Sequence, residues 1–276
     1  MGWAVRALAR RYEPLHLAPV RMNDGRVLYL DLRELMCMPY LLMGHYSIEV
    51  GETRLIRSLL RKGDIVIDIG ANCGWYSTLF SELVGLEGKV YAFEPNSKAV
   101  RMLTATAGNY RSLKVIGAAL SDHEGDAQLY VPVDGVKASL GDVREEQVVQ
   151  TCAVTTMDAF VKSQGDCVPA FVKCDAEGAE MAILRGATNI LANDRPPVWM
   201  MELSTVTAAR FGFHPAELVE FFQKIPNAGY RCYSLDSESG KLEMIVPSTT
   251  YYFFNAVFVP ACHEERLARY LADGLD

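Results

Sequence analysis

Four acidic side chains, Asp68, Glu94, Asp175 and Glu202, stand at or near the ends of four short apolar runs. These runs are rich in β-branched and other large apolar residues, which is typical of strands buried in a parallel sheet. Because parallel strands bring their carboxyl ends to one edge, we expect the four acids to gather along the edge where ligands bind in open α/β sheets. Carboxylates placed there can accept hydrogen bonds from hydroxyl groups or take a proton from a reacting group.

The turn that follows the first apolar run reads D-x-G-A-N-x-G, from Asp68 to Gly74. Gly70 and Gly74 allow the backbone to turn tightly and to approach a ligand closely. Asn72 stands where a third glycine could be, and asparagine is among the few other residues that tolerate a left-handed conformation. A segment able to start a helix comes next. The pattern predicts the first strand–turn–helix unit of a nucleotide-binding sheet.

Glu94 supports this prediction, because it ends the second apolar run and lies 20 residues after Gly74 (94 − 74). A carboxylate at this spacing is typical of a side chain that binds ribose hydroxyls at the end of the second strand.

The composition of the turn favours one cofactor over another. A dinucleotide needs its pyrophosphate seated on amides at a helix N-terminus, usually with three glycines. S-adenosylmethionine has no phosphate, and its ammonium and carboxylate groups suit a loop that combines Asp68 with open backbone amides. We therefore favour S-adenosylmethionine and methyl transfer. The alternatives are an NAD-dependent oxidoreductase on the same scaffold and a non-catalytic module that binds S-adenosylmethionine.

The chain resembles the FkbM-type S-adenosylmethionine-dependent methyltransferases over roughly residues 49–203. The K-x-D-x-E-G-x-E block is the most family-specific piece, whereas the D-x-G-A-N-x-G turn alone indicates a class I methyltransferase fold. The matching segments are GDIVIDIGANCGWYS (63–77), VYAFEPN (90–96), GAALSD (117–122), TTMD (155–158), FVKCDAEGAEMAILRGA (171–187) and VWMMEL (198–203).

The resemblance implies an α/β, Rossmann-like class I methyltransferase fold. Its sheet is mostly parallel and seven-stranded, with helices on both faces, and residues 230–235 and 251–259 form a closing antiparallel hairpin. We expect the third strand over residues 113–120, where small residues that include Ala119 leave room for an adenine ring.

The resemblance also implies O-methylation of a hydroxyl on a sugar, a glycolipid or glycan, or a secondary metabolite. Family members often carry a Glu and a Thr four residues apart before the first strand, and Glu49 and Thr53 match this pair. Glu49 then contacts the cofactor from a lid, or the pair caps a helix at the surface.

The fourth apolar run carries the catalytic candidates. Side chains alternate along a strand, so Lys173 and Asp175 share a face. Asp175 or Glu202 is our candidate base, with Lys173 as a catalytic or substrate-orienting residue; a purely structural ion pair of Lys173 with an acid is the competing interpretation. Asp175, Glu177 and Glu202 also supply the hard oxygen ligands that Mg²⁺ prefers, but we favour a metal-free reaction.

We divide the chain into two parts. Residues 1–62 form an N-terminal cap with a hairpin near Asp24 and Gly25 and a helix that leads into the first strand. Residues 63–276 form the catalytic domain that binds S-adenosylmethionine. A hairpin insertion near 127–155 has a polar loop that is expected to reach the active site, where loops often determine the substrate.

The amino-acid composition restricts the classes of molecule that the protein is expected to bind. The net charge is −7 and no basic block stands out, which argues against nucleic acid and leaves a small molecule or glycan hydroxyl as the acceptor. Seven scattered cysteines without a C-x-x-C pair suit a reducing compartment. We see no secretory signal and no apolar stretch of membrane-spanning length. We expect a soluble cytoplasmic protein, and a homo-oligomer is compatible with the sequence.

Overall fold

Within the part of the chain that the structure describes, the strands form three sheets. The computed structural model describes residues 2–45, 49–132, 138–141, 147–248 and 250–273. The strands are β1 (Ala18–Arg21), β2 (Val27–Leu30), β3 (Ile65–Ile69), β4 (Lys89–Phe93), β5 (Leu113–Ile116), β6 (Ala118–Leu120), β7 (Gly125–Pro132), β8 (Gln147–Thr155), β9 (Phe171–Cys174), β10 (Val198–Ser204), β11 (Arg231–Leu235), β12 (Leu242–Met244) and β13 (Phe253–Val259). The α-helices are α1 (Gly2–Ala9), α2 (Met38–Met43), α3 (Val50–Leu59), α4 (Trp75–Val84), α5 (Ser97–Ala107), α6 (Met157–Ser163), α7 (Glu180–Arg185), α8 (Thr188–Leu191), α9 (Thr205–Arg210), α10 (Pro215–Gln223) and α11 (Glu264–Asp273).

The main sheet has the order β12-β11-β13-β10-β9-β3-β4-β5 within the described residues. The five neighbouring strands β10, β9, β3, β4 and β5 run parallel to one another. β13 is antiparallel to both β10 and β11. The predicted Rossmann-like class I sheet and its closing hairpin are confirmed. The predicted count of seven strands was one too low, because β12 adds a short edge strand. Its three residues are too few to show an apolar alternation in the sequence.

Helices cover both faces of this sheet. Along β3, Val66 packs into one buried cluster with Leu55 of α3 and Leu79 of α4. Its neighbour Ile67 packs into the other cluster, with α6, α7 and α10. Alternate residues of a buried strand therefore serve opposite cores, which explains the continuous apolar runs.

The β1–β2 hairpin, which was predicted, lies against α5. The Tyr29 amide donates to Thr106 Oγ1 over 2.9 Å and the Val27 amide donates to the Tyr110 hydroxyl over 3.2 Å. The buried Arg26 guanidinium donates through Nη1 to the Trp75 carbonyl at the start of α4. Most of the hairpin thus supports α4 and α5. The chain that follows the hairpin reaches the edge of the main sheet where the parallel strands end.

The strand predicted over 113–120 is interrupted. β5 pairs with β4 in the main sheet, and after Gly117 the chain continues as β6, which pairs parallel with β8 in a second sheet. β7 and β8 form the predicted insertion as an antiparallel pair. Asp134, Gly135 and Asp142 of the predicted loop lie outside the described residues.

Candidate functional site

The turn after β3 has the backbone that its residue types predicted. Gly70, Asn72 and Gly74 have φ values of 74°, 52° and 93°. A Cβ on Gly70 would lie 1.9 Å from the carbonyl oxygen of Asp175, so this contact excludes any side chain. Gly74 is the N-cap of α4. The turn therefore brings the ends of β3 and β9 into direct contact.

Glu94 follows β4 and is tied to the same turn. Its Oε2 accepts the Asn72 amide over 2.9 Å and its Oε1 accepts the Asn96 amide over 2.8 Å. Burial raises the pKa of Glu94 to about 7, although both amides favour the charged form. Each carboxylate oxygen has two acceptor positions, so the group can accept further hydrogen bonds from a ligand.

A cavity of about 870 Å³, including its open mouth, begins at this turn and extends over β4 toward the β7–β8 hairpin. Gly70, Asn72, Glu94 and Ala119, four of the predicted cofactor residues, line it. The remaining wall is partly apolar and includes Met36, Phe93, Met102, Ala118, Leu129, Leu140 and Ile183, with Asp175 and Glu177 at one end.

Asp68 lies below the cavity rather than in its wall. Its side chain is buried, and Oδ2 accepts a hydrogen bond from Ser77 Oγ over 2.5 Å. Burial raises its pKa, an effect that the Lys173 charge and the Ser77 hydroxyl oppose. Asp68 is not among the residues that line the cavity, and its predicted role as a cofactor ligand stays a prediction.

Lys173 lies beside Asp68 in the parallel register of β3 and β9. Its Nζ is 3.3 Å from Asp175 Oδ2 and 4.9 Å from the centre of the Tyr76 ring. Burial disfavours its charge, but the carboxyl groups of Asp175, Asp68 and Glu49 outweigh burial and raise the pKa of Lys173. These carboxyl groups therefore favour the charged form of Lys173, in which it can orient Asp175.

Glu49 precedes α3, outside the cavity wall, and faces the same cluster. Its Oε2 accepts the Tyr76 hydroxyl over 2.5 Å, and Thr53 Oγ1 donates to the Glu49 carbonyl over 3.0 Å. Burial raises the pKa of Glu49 to about 7, against the effects of Lys173 and Tyr76. The structure thus joins the predicted Glu49–Thr53 pair, and Glu49 reaches the Lys173 cluster through Tyr76.

Asp175 and Glu177, which line the end of the cavity, come together with Glu202. One carboxylate oxygen from each lies within 4.8 Å of the other two. The register explains this, because Lys173 pairs with Met200, which puts the residues two positions later side by side. We call these three residues the acid triad.

Glu180, which belongs to the same motif, has a different place. Its buried carboxylate accepts the amides of Ala176 and Gly178 at 3.1 and 3.2 Å. It therefore holds the turn that carries Asp175 and Glu177.

Several residues of the site had no assignment from sequence. Tyr76 and Ser77 lie within the family segment that contains the turn. Their place in that segment is the sequence feature that could have indicated a role at the site. Asn96 caps α5 and donates its amide to Glu94. Lys98 and Glu34 meet at the cavity, 3.4 Å apart; no local pattern connects these two.

Comparison with known proteins decides the family. Residues 68–232, more than half of the chain, match the family model described as the methyltransferase FkbM domain. The chain belongs to the FkbM methyltransferase family. This FkbM methyltransferase is also 30% identical over 145 residues to the hexuronic acid methyltransferase AglP of Haloferax volcanii. That match covers 51% of this chain and 58% of AglP.

Solved structures with a similar fold include an S-adenosylmethionine-dependent O-methyltransferase from Thermotoga maritima. It has a TM-score of 0.44 and 12% identity, and the match covers 88% of this FkbM methyltransferase and 77% of the other chain. An rRNA methylase from Streptococcus thermophilus has a TM-score of 0.44 and 11% identity, with 76% and 93% covered. Similarity at this level of sequence identity concerns the fold and does not indicate which acceptor is methylated.

The family is one of S-adenosylmethionine-dependent methyltransferases, which agrees with the predicted cofactor and not with an NAD-dependent oxidoreductase. Among the helices that the structure describes, none is both long and apolar enough to cross a membrane.

Proposed function

We propose that this FkbM methyltransferase transfers a methyl group from S-adenosylmethionine to a hydroxyl of a sugar, a glycan or a secondary metabolite. The observation that carries the proposal is the acid triad at the end of the cavity that Gly70, Asn72 and Glu94 line. The hexuronic acid named for the relative AglP supports a sugar as the acceptor.

The cavity has the features that this cofactor requires. In the proposed complex, Glu94 accepts the ribose hydroxyls, and the small side chains of Ala118 and Ala119 leave space for the adenine. The Gly70 turn allows close approach of the ligand to the backbone. Asp68 would act from below, by fixing Ser77 at the start of α4.

S-adenosylmethionine, when bound, supplies an electrophilic methyl group that needs a nucleophile in line with it. A hydroxyl has to lose its proton during the attack, so a base must lie within hydrogen-bond reach. We assign that role to Asp175 or Glu202. Lys173 stays charged 3.3 Å from Asp175 Oδ2 and fixes the orientation of that carboxylate. Positioning of the two reactants then supplies much of the remaining acceleration.

We favour a reaction without a metal, although the acid triad offers the ligands that Mg²⁺ would need. The ammonium of Lys173 already lies against Asp175 and offsets part of the negative charge that would attract a cation. If a metal were bound, Asp175, Glu177 and Glu202 would hold it, and it would acidify the acceptor hydroxyl.

An acceptor screen tests the proposed function. Purified protein is incubated with S-adenosylmethionine and a panel of hydroxylated sugars and natural-product cores, and S-adenosylhomocysteine is quantified. We expect acceptor-dependent product with wild type. The Asp175→Asn variant should retain S-adenosylhomocysteine binding and lose turnover. Cofactor binding with no turnover on any hydroxyl acceptor would instead support a non-catalytic module.

A further inference from the structure

Helix α1 presents an apolar face to solvent. Trp3, Ala4, Ala7 and Leu8 are all exposed, Trp3 by 82% and Leu8 by 59%. In an α-helix these four positions form one face, whereas Arg6 belongs to the other side. A surface helix of a globular protein normally turns its polar residues to the solvent. The apolar residues of α1 thus face outward, which is the reverse of the usual arrangement.

The opposite face of α1 fixes the helix to the protein. Val5 and Ala9 pack against the same buried cluster as α3 and α4. Arg6 Nε donates to the Arg33 carbonyl over 2.9 Å, and His16 Nε2 donates to the Ala9 carbonyl over 2.8 Å. The helix therefore cannot turn its outward face into the core without breaking these contacts.

Exposed leucines beside α1 enlarge this face. A Cβ on Gly2 would lie 3.6 Å from Leu42 Cδ1 of α2, and Leu35 lies two residues after Arg33, which holds Arg6. Leu35 and Leu42 are each 49% exposed. Single exposed leucines are ordinary, but a contiguous apolar group commonly marks an interaction site. We call the following four residues the apolar surface: Trp3, Leu8, Leu35 and Leu42.

Positive charge borders the apolar surface. Residues 2–12 contain three arginines and no acid, whereas the whole chain has a net charge of −7. Arg10 and Arg11 directly follow α1 and are exposed, and Glu13 is the first acid after them. Asp31, which lies near α1, already pairs with Arg33 over 2.6 Å. The surface therefore suits a partner that is apolar inside and negatively charged at its boundary.

The surface of an anionic lipid bilayer has this chemistry. Tryptophan and leucine side chains enter the layer between headgroups and acyl chains, and arginines bind the lipid phosphates. A helix of eight residues is far too short to cross a bilayer, so the contact is interfacial. We propose that α1 docks on an anionic lipid bilayer, with Trp3 and Leu8 in the interfacial layer and Arg10 and Arg11 on the phosphates.

A second copy of the chain fits this surface less well. In a two-fold dimer the same surface meets itself, so Arg10 and Arg11 of both copies would come to one interface. Like charges brought together oppose association. A bilayer that carries anionic lipids supplies the opposite charge instead.

The apolar surface adjoins the cavity. Leu35 stands between Glu34 and Met36, and both of these residues line the cavity. Docking would thus place lipid beside the cavity. The inference does not depend on methyl transfer, so its test is separate from that of the proposed function.

Co-sedimentation with vesicles tests the proposal. The protein is mixed at low ionic strength with vesicles of phosphatidylcholine alone or of phosphatidylcholine with phosphatidylglycerol. We expect about tenfold stronger binding to the anionic vesicles, and this binding should weaken as salt is added. Equal binding to both compositions, or no binding to the anionic vesicles, would overturn the proposal.

Tryptophan fluorescence identifies the face that binds. Trp3 is exposed, whereas Trp75 and Trp199 are buried. Anionic vesicles should shift the emission to shorter wavelength as Trp3 leaves water, and Trp3→Phe should lose this shift. Vesicle binding by wild type without the shift would place the contact on another face of the protein and contradict the proposal.

Matched variants test the apolar contribution. Trp3→Ala should weaken binding to anionic vesicles by about tenfold and Leu8→Ala by roughly fivefold, because each removes apolar area that leaves water on docking. Leu86→Ala truncates a leucine beyond the end of α4 that is 77% exposed, and it should bind like wild type. Wild-type affinity of Trp3→Ala would exclude α1 as the docking element.

A second matched pair tests the basic contribution. Arg10→Gln combined with Arg11→Gln should weaken binding to anionic vesicles by about tenfold and flatten the salt dependence. The same charge change at Arg185 and Arg195, which are exposed elsewhere on the surface, should have a much smaller effect. Equal effects of the two double variants would mean that net charge alone drives binding, against the proposal.

Sedimentation velocity without lipid tests the competing partner. We expect wild type and Trp3→Ala to sediment alike at every protein concentration. A dimer of wild type that Trp3→Ala dissociates would show that a second copy covers the apolar surface, and the proposal would fall.

Discussion

Lys173 Nζ lies 3.3 Å from Asp175 Oδ2, and the same lysine stands next to Asp68 in the register of β9 and β3. One buried cation thus connects a carboxylate inside the sheet with a carboxylate at its reactive edge. The side chain of Lys173 is 7% exposed and that of Asp175 is 36% exposed. The lysine therefore stabilises the fold and orients the site at once.

Replacing Lys173 by methionine should destabilise the protein by about 2–4 kcal/mol at neutral pH. Removing one partner of a buried ion pair leaves uncompensated charge, and the partial exposure of Asp175 reduces the cost. Urea unfolding measures the free energy. Lys224→Met, which removes an exposed lysine paired with Glu220, should cost less than about 1 kcal/mol.

The cost of Lys173→Met should also depend on pH. Burial raises the pKa of Asp68 and that of Glu49, the latter to about 7. In the variant, protonation at acidic pH therefore neutralises the carboxyl groups that have lost the charge of Lys173. The difference from wild type should be smaller near about pH 5 than near about pH 8. An equal cost at both pH values would show that Lys173 acts through packing alone.

Gly70→Ala should be much more harmful than Gly63→Ala. Both glycines have positive φ, 74° and 84°, so the backbone strain is similar in the two variants. A Cβ on Gly63 meets nothing within 4 Å, whereas one on Gly70 meets the Asp175 carbonyl. We expect an additional loss of about 1–3 kcal/mol for Gly70→Ala, measured by urea unfolding, together with weaker S-adenosylhomocysteine binding. Similar losses would mean that the β3 and β9 ends are not in contact.

Affinity for S-adenosylhomocysteine should rise with pH through about 7. Burial, together with the nearby Asp68 and Asp175 charges, raises the pKa of Glu94 to about 7 against the opposing effect of the Asn96 and Asn72 amides. Ribose hydroxyls donate to the ionised carboxylate, so binding favours loss of the proton. Below about pH 7 the affinity should fall by up to about tenfold per pH unit. Titrations at several pH values should show a flatter profile for Glu94→Gln, and an unchanged profile would exclude Glu94 as the titrating group.

Activity should survive metal removal. Because Lys173 offsets charge in the acid triad, the proposed reaction proceeds without Mg²⁺. Turnover on an acceptor found in the screen should be the same with and without EDTA. Loss of turnover in EDTA that Mg²⁺ restores would assign the triad to a metal.

The position of an acid relative to its strand end separates what the sequence could predict from what it could not. Glu94 and Asp175 directly follow the last residue of β4 and β9, and both line the cavity as expected. Asp68 is followed by one more strand residue and is buried. That difference of two positions relative to the strand end depends on where hydrogen bonding of the sheet stops, which the apolar run does not reveal.

Glu202 illustrates the opposite case. β10 continues past Glu202 to Ser204, where it pairs with β13. The pairing of β10 with β9 ends at Met201, so Glu202 and Asp175 lie side by side just beyond the last paired residues of these two strands. The strand order that brings Glu202 next to Asp175 was predicted from the family resemblance and not from the apolar pattern of the strands. Contacts between distant segments, such as Glu34 with Lys98 or Arg26 with Trp75, have no local signal. They depend on the packing of the N-terminal hairpin against α4 and α5.

The most direct test of the account is calorimetric titration of wild type and Glu94→Ala with S-adenosylhomocysteine, with NAD as the parallel ligand. We predict that S-adenosylhomocysteine alone binds wild type. The variant should lose about 1.5–3 kcal/mol of binding free energy, roughly tenfold to a hundredfold in Kd, because a charge-assisted hydrogen bond is removed. Binding of NAD alone, or equal affinity of the two proteins for S-adenosylhomocysteine, would contradict the assignment of this cavity.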